Sequence, residues 1–353
     1  MKFKIYKKID LYVFITTLMS SFFALLLLTI IESFFTFLTE LQALGNSDYS
    51  ISKMLLYLLY DSPNRIHRII PMGLLLGVLI GLGQLSAANE ISVMRAAGLS
   101  KLRITFGAIM ATILVSIVAL NLGEFVVPPT KKIAETIQSN AKEIRQGKGF
   151  WAISNKQIIH VSATQGVNLS GISFYNVQDN KIKSILNAPD AYLNHKDWLI
   201  KSSTLKTITP EAIILTQQEE QSLPTVIDQR ALSALSSDPE NMAMKELWRF
   251  IKYLENNGLD ASQYRLAFWV KTFAPFTNLS MLVIALPFVF GNSRQKGLGT
   301  KLLLGILIGL GIYLGSQMLA HFILLYNYLP IFGAIIPIII SLGLGLLFFK
   351  LAS

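Results

Sequence analysis

Along this chain, long apolar runs alternate with short polar breaks, and one large polar block divides them. Apolar stretches cover residues 11–37, 69–85, 104–122, 266–290, 302–325 and 329–349. A helix needs about 20 such residues to cross a bilayer core, so the pattern predicts six transmembrane helices. Between residues 123 and 264 the periodicity changes. Residues 157–163, 171–177, 181–187, 198–201, 203–208, 212–216 and 225–227 read as short strands, with Asn, Asp, Gly and Pro at the breaks. The expected fold class is an α-helical integral membrane protein with an inserted all-β domain, a β-sandwich or an open, jellyroll-like sheet. Its expected divisions are helices one to three (1–130, with a short helix at about 87–98), the β domain (131–240), an amphipathic connector (241–262) and helices four to six (263–353).

The most informative polar break is SAANEISVMRAAGLSK, residues 86–101. It reads as a helix too short to span. Ser86 or Asn89 is placed to cap it, Glu90 lies in its first turn, Arg95 falls toward its end, and Gly98 is placed to stop it in a left-handed turn. Ala87, Ile91, Met94 and Gly98 recur at helical spacing, giving one face that presses on another protein or on lipid headgroups. Two readings stand: a capped turn between membrane helices, or a lever through which a soluble motor moves the flanking spans.

The first helix is bulky throughout and suits lipid or a large apolar cavity, with Glu32 either near the headgroups or on a substrate path. The second is expected to break at Asp61-Ser62-Pro63-Asn64 and resume after Arg65, and Gly73, Gly77 and Gly81 then form a small-residue packing face. The third is expected to end at residues 121–124, closed off by Pro128-Pro129, before a polar helical piece at 133–145. In the strand-like run 171–177, apolar or aromatic residues fall on both faces, suited to filling the domain's core or to holding an acyl chain. Residues 242–255 form an amphipathic helix. Pro275 and Pro287 predict kinks in the fourth span, and Gly305, Gly309, Gly311 and Gly315 give the fifth several close-packing faces.

Composition supports the membrane reading: 353 residues are 52% hydrophobic and 15% charged, with a mean hydropathy of +0.50. The first run is too long for a cleaved leader's apolar core. The formal charge of +10 reports orientation, since no basic, aromatic-interleaved nucleic-acid motif is present. Lys2, Lys4, Lys7 and Lys8, then Arg95, Lys101 and Arg103, then Arg294, Lys296 and Lys301 flank spans on one side. That side is expected to be cytoplasmic, with both termini, and the block at 123–264 outside. Arg65 and Arg68 fall on the outer side. The chain has no cysteine, so the outer domain must hold together by its own core.

The sequence argues against an enzyme. There is no GxxxxGK[ST] phosphate loop, and no HExxH or cysteine cluster for a metal. Its four histidines are scattered. No cofactor is expected, and any nucleotide hydrolysis requires a separate subunit.

Three stretches resemble the LptF/LptG permease family of lipopolysaccharide export: residues 72–104 (MGLLLGVLIGLGQLSAANEISVMRAAGLSKLRI), the strand pair within 148–177, and residues 265–314. The likeness covers nearly the whole chain. The GxWA pattern at 149–152, the ISFYNV strand and the GTK opening of helix five look like the G-type subunit more than the F-type. The resemblance implies a bacterial inner-membrane permease with a periplasmic jellyroll. It would pair with an LptF-like subunit on two LptB-like cytoplasmic ATPases, with an LptC-like single-helix protein as a further partner. Lipopolysaccharide would be taken from the outer leaflet of the inner membrane and passed to a periplasmic bridge. In that family the EIxVMxAxG segment docks on the ATPase, here Glu90, Ile91, Val93, Met94, Arg95, Ala97 and Gly98. The substrate cavity lies between helices one and five, which points to Glu32, Phe35, Phe37, Arg65, Arg68, Gly309 and Gly315. Some members carry lysines at the outer end of helix one. This chain has Glu40 and no basic residue there, so Arg65 and Arg68 become the candidates for meeting lipid phosphates. The alternative function is a sensor that relays nucleotide state to the outer domain without moving substrate.

Overall fold

The computed structural model describes residues 2–42, 44, 49–141, 150–154, 157–165, 168–178, 181–194, 197–208, 212–219, 221–224, 238–256, 259–291 and 298–351. The expected strand at 225–227 lies outside them, as do Gly149, Arg294 and Lys296. The chain divides into a helical unit (Met1–Gln42, Leu55–Ala134, Leu266–Ser353) and a second unit (Ala43–Met54, Glu135–Arg265).

Among the described residues six helices are long and apolar enough to cross a membrane. In chain order, α1 is Lys2–Leu41, α2 Ile51–Ala87, the short α3 Glu90–Ala96, and α4 Lys101–Asn121. A π turn at Leu122–Val126 leads into α5, Val127–Ala141, followed beyond the sheet by α6, Met244–Asn256. The last three spans are α7, Ser262–Phe290, α8, Leu298–Leu325, and α9, Ile331–Leu351.

Two expected breaks are corrected. Helix α2 runs through Pro63 without interruption. Proline deprives the Leu59 carbonyl of its usual donor, but the Ser62 hydroxyl donates to that oxygen at 2.8 Å. Arg65 Nη2 donates to the Leu58 carbonyl at 2.6 Å. Side chains thus replace what the ring removes, as a helix in lipid requires. Likewise Pro128-Pro129 does not end the third span, which continues through the π turn to residue 138. There the Val127 amide bonds five residues back to the Leu122 carbonyl, and the Thr130 hydroxyl donates to the Val126 carbonyl at 2.8 Å. The widened turn accommodates both proline rings in the first turn of α5.

Small residues set the spacing of the helical unit. A Cβ on Gly77 would lie 2.3 Å from Ser21 Cα of α1, and one on Gly107 of α4 would lie 2.5 Å from the Asp10 carbonyl of α1. Helix α1 therefore lies in a groove of glycines and turns its bulky side out, with Phe22, Phe23, Ile30 and Phe34 all exposed. A buried bond, Asn278 Nδ2 to Ser116 Oγ at 3.0 Å, ties α7 to α4.

The second unit holds an eight-stranded antiparallel sheet: β1 Phe150–Ser154, β2 Gln157–Gln165, β3 Asn168–Gln178, β4 Lys181–Asn194, β5 Asp197–Ile200, β6 Ser203–Ile208, β7 Ile213–Gln218 and β8 Gln221–Pro224. The main path is β1-β2-β3-β4-β5-β8, and β6 and β7 branch from β4. The branch has a local cause. Residues 184–187 of β4 pair with β6 and residues 191–194 with β5, and Pro189, which lacks an amide hydrogen, stands between the two. Across from it Gly171 takes φ +65°, a left-handed conformation suited to glycine. Ile159, Val161, Ile172, Leu186 and Trp198 are buried, with Phe174 edge-on to Trp198 at 6.3 Å. Ile172 and Phe174 thus serve the domain's own core.

Because the neighbour of Gly77 is backbone, it cannot yield to an added methyl. Gly77→Ala is expected to destabilise by roughly 1–3 kcal/mol and lower the melting temperature of the detergent-solubilised protein. Gly311→Ala, with open space at that position, is expected to leave the melting temperature unchanged.

Candidate coupling helix and outer charge cluster

Helix α3 is short, and its ends are fixed by backbone chemistry. Asn89 enters at φ +62° with no side-chain cap, and Ser86 instead donates to the Val289 carbonyl of α7 at 3.3 Å. At the other end the Gly98 amide bonds to the Arg95 carbonyl and the Leu99 amide to the Met94 carbonyl. With Gly98 at φ +88° and Leu99 buried, this is a Schellman closure. Ser100 then caps α4 by accepting from the Arg103 amide at 3.2 Å.

The faces of α3 differ from the sequence reading. Ile91 is 5% exposed and Met94 packs beside it, within a core that includes Leu82, Leu85, Ile104, Leu282 and Phe290. These two candidates root the helix in its own bundle, where burying one such side chain contributes about 1.5–3 kcal/mol. The outward face carries Val93, 68% exposed, with Arg95, Ala97 and Gly98 also exposed. Glu90 is half-buried and its carboxylate stands beside the Tyr12 hydroxyl of α1 as an acceptor. Two residues earlier on α1, Asp10 Oδ2 meets Arg103 Nη2 of α4 at 2.5 Å. Sequence reasoning missed both links from α1 to this region. Their signal was only a carboxylate and a phenol near the start of an apolar run.

The cavity candidates separate into different surroundings. Arg65 is 1% exposed, with Nε 3.1 Å from Asp61 Oδ2 and Nη1 donating to Ser33 Oγ of α1 at 3.4 Å. Lys131 of α5 reaches the other carboxylate oxygen at 2.7 Å. Arg65 is thus an internal cation, because Asp61 one turn away claims its charge. Asp61 and Lys131 were also missed, although a charged i,i+4 pair next to an apolar run was a visible signal. Arg68 is half exposed and pairs with Glu32 Oε1 at 2.6 Å, so Glu32 and Arg68 are brought together. Phe35 is exposed and Phe37 half-buried. Gly309 lies in a helix seam, where a Cβ would come 1.8 Å from Leu75 Cδ2, whereas Gly315 has open space. A separate groove of about 490 Å³ opens between α1 and α2, lined by Phe23, Leu27, Ile80 and Gln84 among others. No cavity candidate lines it. Beside the cluster, His67 packs on Gly123 of the π turn, where a Cβ would come within 2.6 Å of the ring.

Six spans, an inserted antiparallel sheet domain and a short helix between the second and third spans define a multi-pass membrane protein. The chain belongs to the lipopolysaccharide export system permease LptF/LptG family, whose profile matches residues 11–351. It is similar to the Escherichia coli K12 protein named lipopolysaccharide export system permease protein LptG, 28% identical over 91% of each chain. It is also similar to LptG of Haemophilus influenzae, 26% identical over 93% of this chain and 94% of that one. LptF of Escherichia coli K12 is 24% identical over 66% of this chain and 65% of that one.

Removing the shared carboxylate strands two cations. Asp61→Ala is expected to cost about 3–5 kcal/mol, read as a large drop in the melting temperature in detergent. Arg68→Ala, at the half-exposed pair, is expected to lower it much less.

Proposed function

We propose that the chain is the G-type permease subunit of an ATP-driven lipopolysaccharide exporter in a bacterial inner membrane. It pairs with an F-type permease on two copies of a cytoplasmic ATPase, both termini are cytoplasmic, and the sheet domain is periplasmic. An LptC-like single-helix protein is a further partner at the periplasmic bridge. The observation that carries this reading is the two-sided character of α3. Ile91 and Met94 join it firmly to α2, α4 and α7, while Val93, Arg95, Ala97 and Gly98 form the surface offered to a motor. Closure of the ATPase dimer pushes on that surface, and the buried side transmits the displacement to the spans. Glu90 and Tyr12, with Asp10 and Arg103, carry the movement to α1.

The lipid enters from the outer leaflet beside the bulky face of α1. Phe35 and Phe37 supply apolar contact for acyl chains, and Gly315 leaves room for a neighbouring helix. Arg68 meets lipid phosphate while Glu32 holds it in place. Arg65 supports the wall from inside through Asp61 and Lys131. Support for this assignment comes from the family membership and from the greater coverage by the two LptG relatives than by LptF.

The test is a reconstituted complex with its F-type partner and ATPase, comparing the native chain with Glu90→Ala. Assembly is expected to survive, while lipopolysaccharide extraction and its coupling to ATP hydrolysis fall at least ten-fold, about 1.4 kcal/mol of lost coupling. Unchanged extraction and coupling would remove the lever assignment. Hydrolysis without any extraction by the native complex would favour the relay function instead.

A further inference from the structure

Helix α6 presents a charged face whose chemistry the transport mechanism above does not use. Its apolar side is taken: Leu247, Phe250, Ile251 and Leu254 are buried. Phe250 packs edge-on to Tyr264 at 4.7 Å, and the Leu259 amide bonds to the Leu254 carbonyl at 2.8 Å. Arg265 grips Glu255 through Nε at 2.8 Å and through Nη2. These contacts pin α6 against the first turn of α7, which is itself a helix of spanning length. Helix α6 therefore lies where a membrane span begins.

On the opposite side Lys245, Trp248, Arg249 and Lys252 are all exposed. Their spacing places them on one face. Trp248 is 49% exposed, and Lys252 Nζ stands 5.2 Å from the centre of its ring. Glu255 does not neutralise this face, because Arg265 holds it. Cations around a tryptophan at the mouth of a span match the chemistry of the headgroup layer, where indole rings settle and anionic phosphates attract Lys and Arg.

We propose that the Lys245, Trp248, Arg249 and Lys252 face of α6 docks on anionic phospholipid headgroups beside the start of α7. An ordinary surface helix buries its apolar side in lipid. Here that side is occupied by protein, so docking is shallow, led by charge, and fixes the connector between the sheet domain and the fourth span.

The full-length chain in nanodiscs supplies the test. Discs of phosphatidylcholine, with or without phosphatidylglycerol, contain a lipid spin-labelled near the headgroup, and subtracting Trp248→Phe isolates the Trp248 fluorescence. Quenching is expected to be stronger with phosphatidylglycerol. The excess is expected to vanish at high salt, which requires no substitution. In a Lys245→Gln, Arg249→Gln, Lys252→Gln variant it is expected to fall by about five-fold in docked-to-undocked ratio per charge removed. Water-exposed, unquenched Trp248 emission in both lipids would overturn the proposal, as an acidic protein partner would predict. Quenching that ignores phosphatidylglycerol, salt and the three charges would overturn it equally.

Discussion

The structure depends on the burial of Ile91, with half-buried Met94 packed beside it, beneath a helix of only seven residues. Alone, a helix this short would not persist in water. It holds because its apolar side completes the core of α2, α4 and α7, and because Gly98 and Leu99 close its last turn on the backbone. Under the proposed coupling role, the same burial makes α3 a stiff lever. A displacement applied to Val93 or Arg95 cannot be absorbed locally when the opposite side is close-packed with the spans.

The end of the helical unit around Asp61 answers a different constraint. In lipid, freed backbone groups and charges must find partners inside the protein. Pro63 frees a carbonyl and Ser62 takes it. Asp61 then collects Arg65 from its own helix and Lys131 from α5, while Arg65 also reaches Ser33 on α1. Three helices are thereby joined through one carboxylate. Arg68, a turn further on, keeps half its surface outside this arrangement and pairs instead with Glu32.

The six spans, six of the eight strands (β2–β7) and the short helix were legible because their signals are local: apolar length, alternation and a glycine stop. The continuity of α2 and of the third span was not. Proline marks a missing donor, but only the fold shows Ser62 and Arg65 supplying substitutes, or a π turn making room for Pro128 and Pro129. The faces of α3 were misread for a similar reason. Periodicity grouped Ile91 with Met94 correctly, yet the pattern did not say whether that stripe met a partner or the chain's own bundle. The same limit governed the arginines, since Arg65 and Arg68 lie three residues apart and only their neighbours in space distinguish an internal cation from an exposed one.

Because the chain has no cysteine, single cysteines can report which side of α3 a motor touches. The decisive measurement is site-specific crosslinking from Val93→Cys and, separately, Met94→Cys to the ATPase in the assembled complex. A strong adduct from position 93 that responds to nucleotide is expected, and little or none from position 94. An adduct confined to position 94, or none from either in an intact complex, would contradict the coupling role.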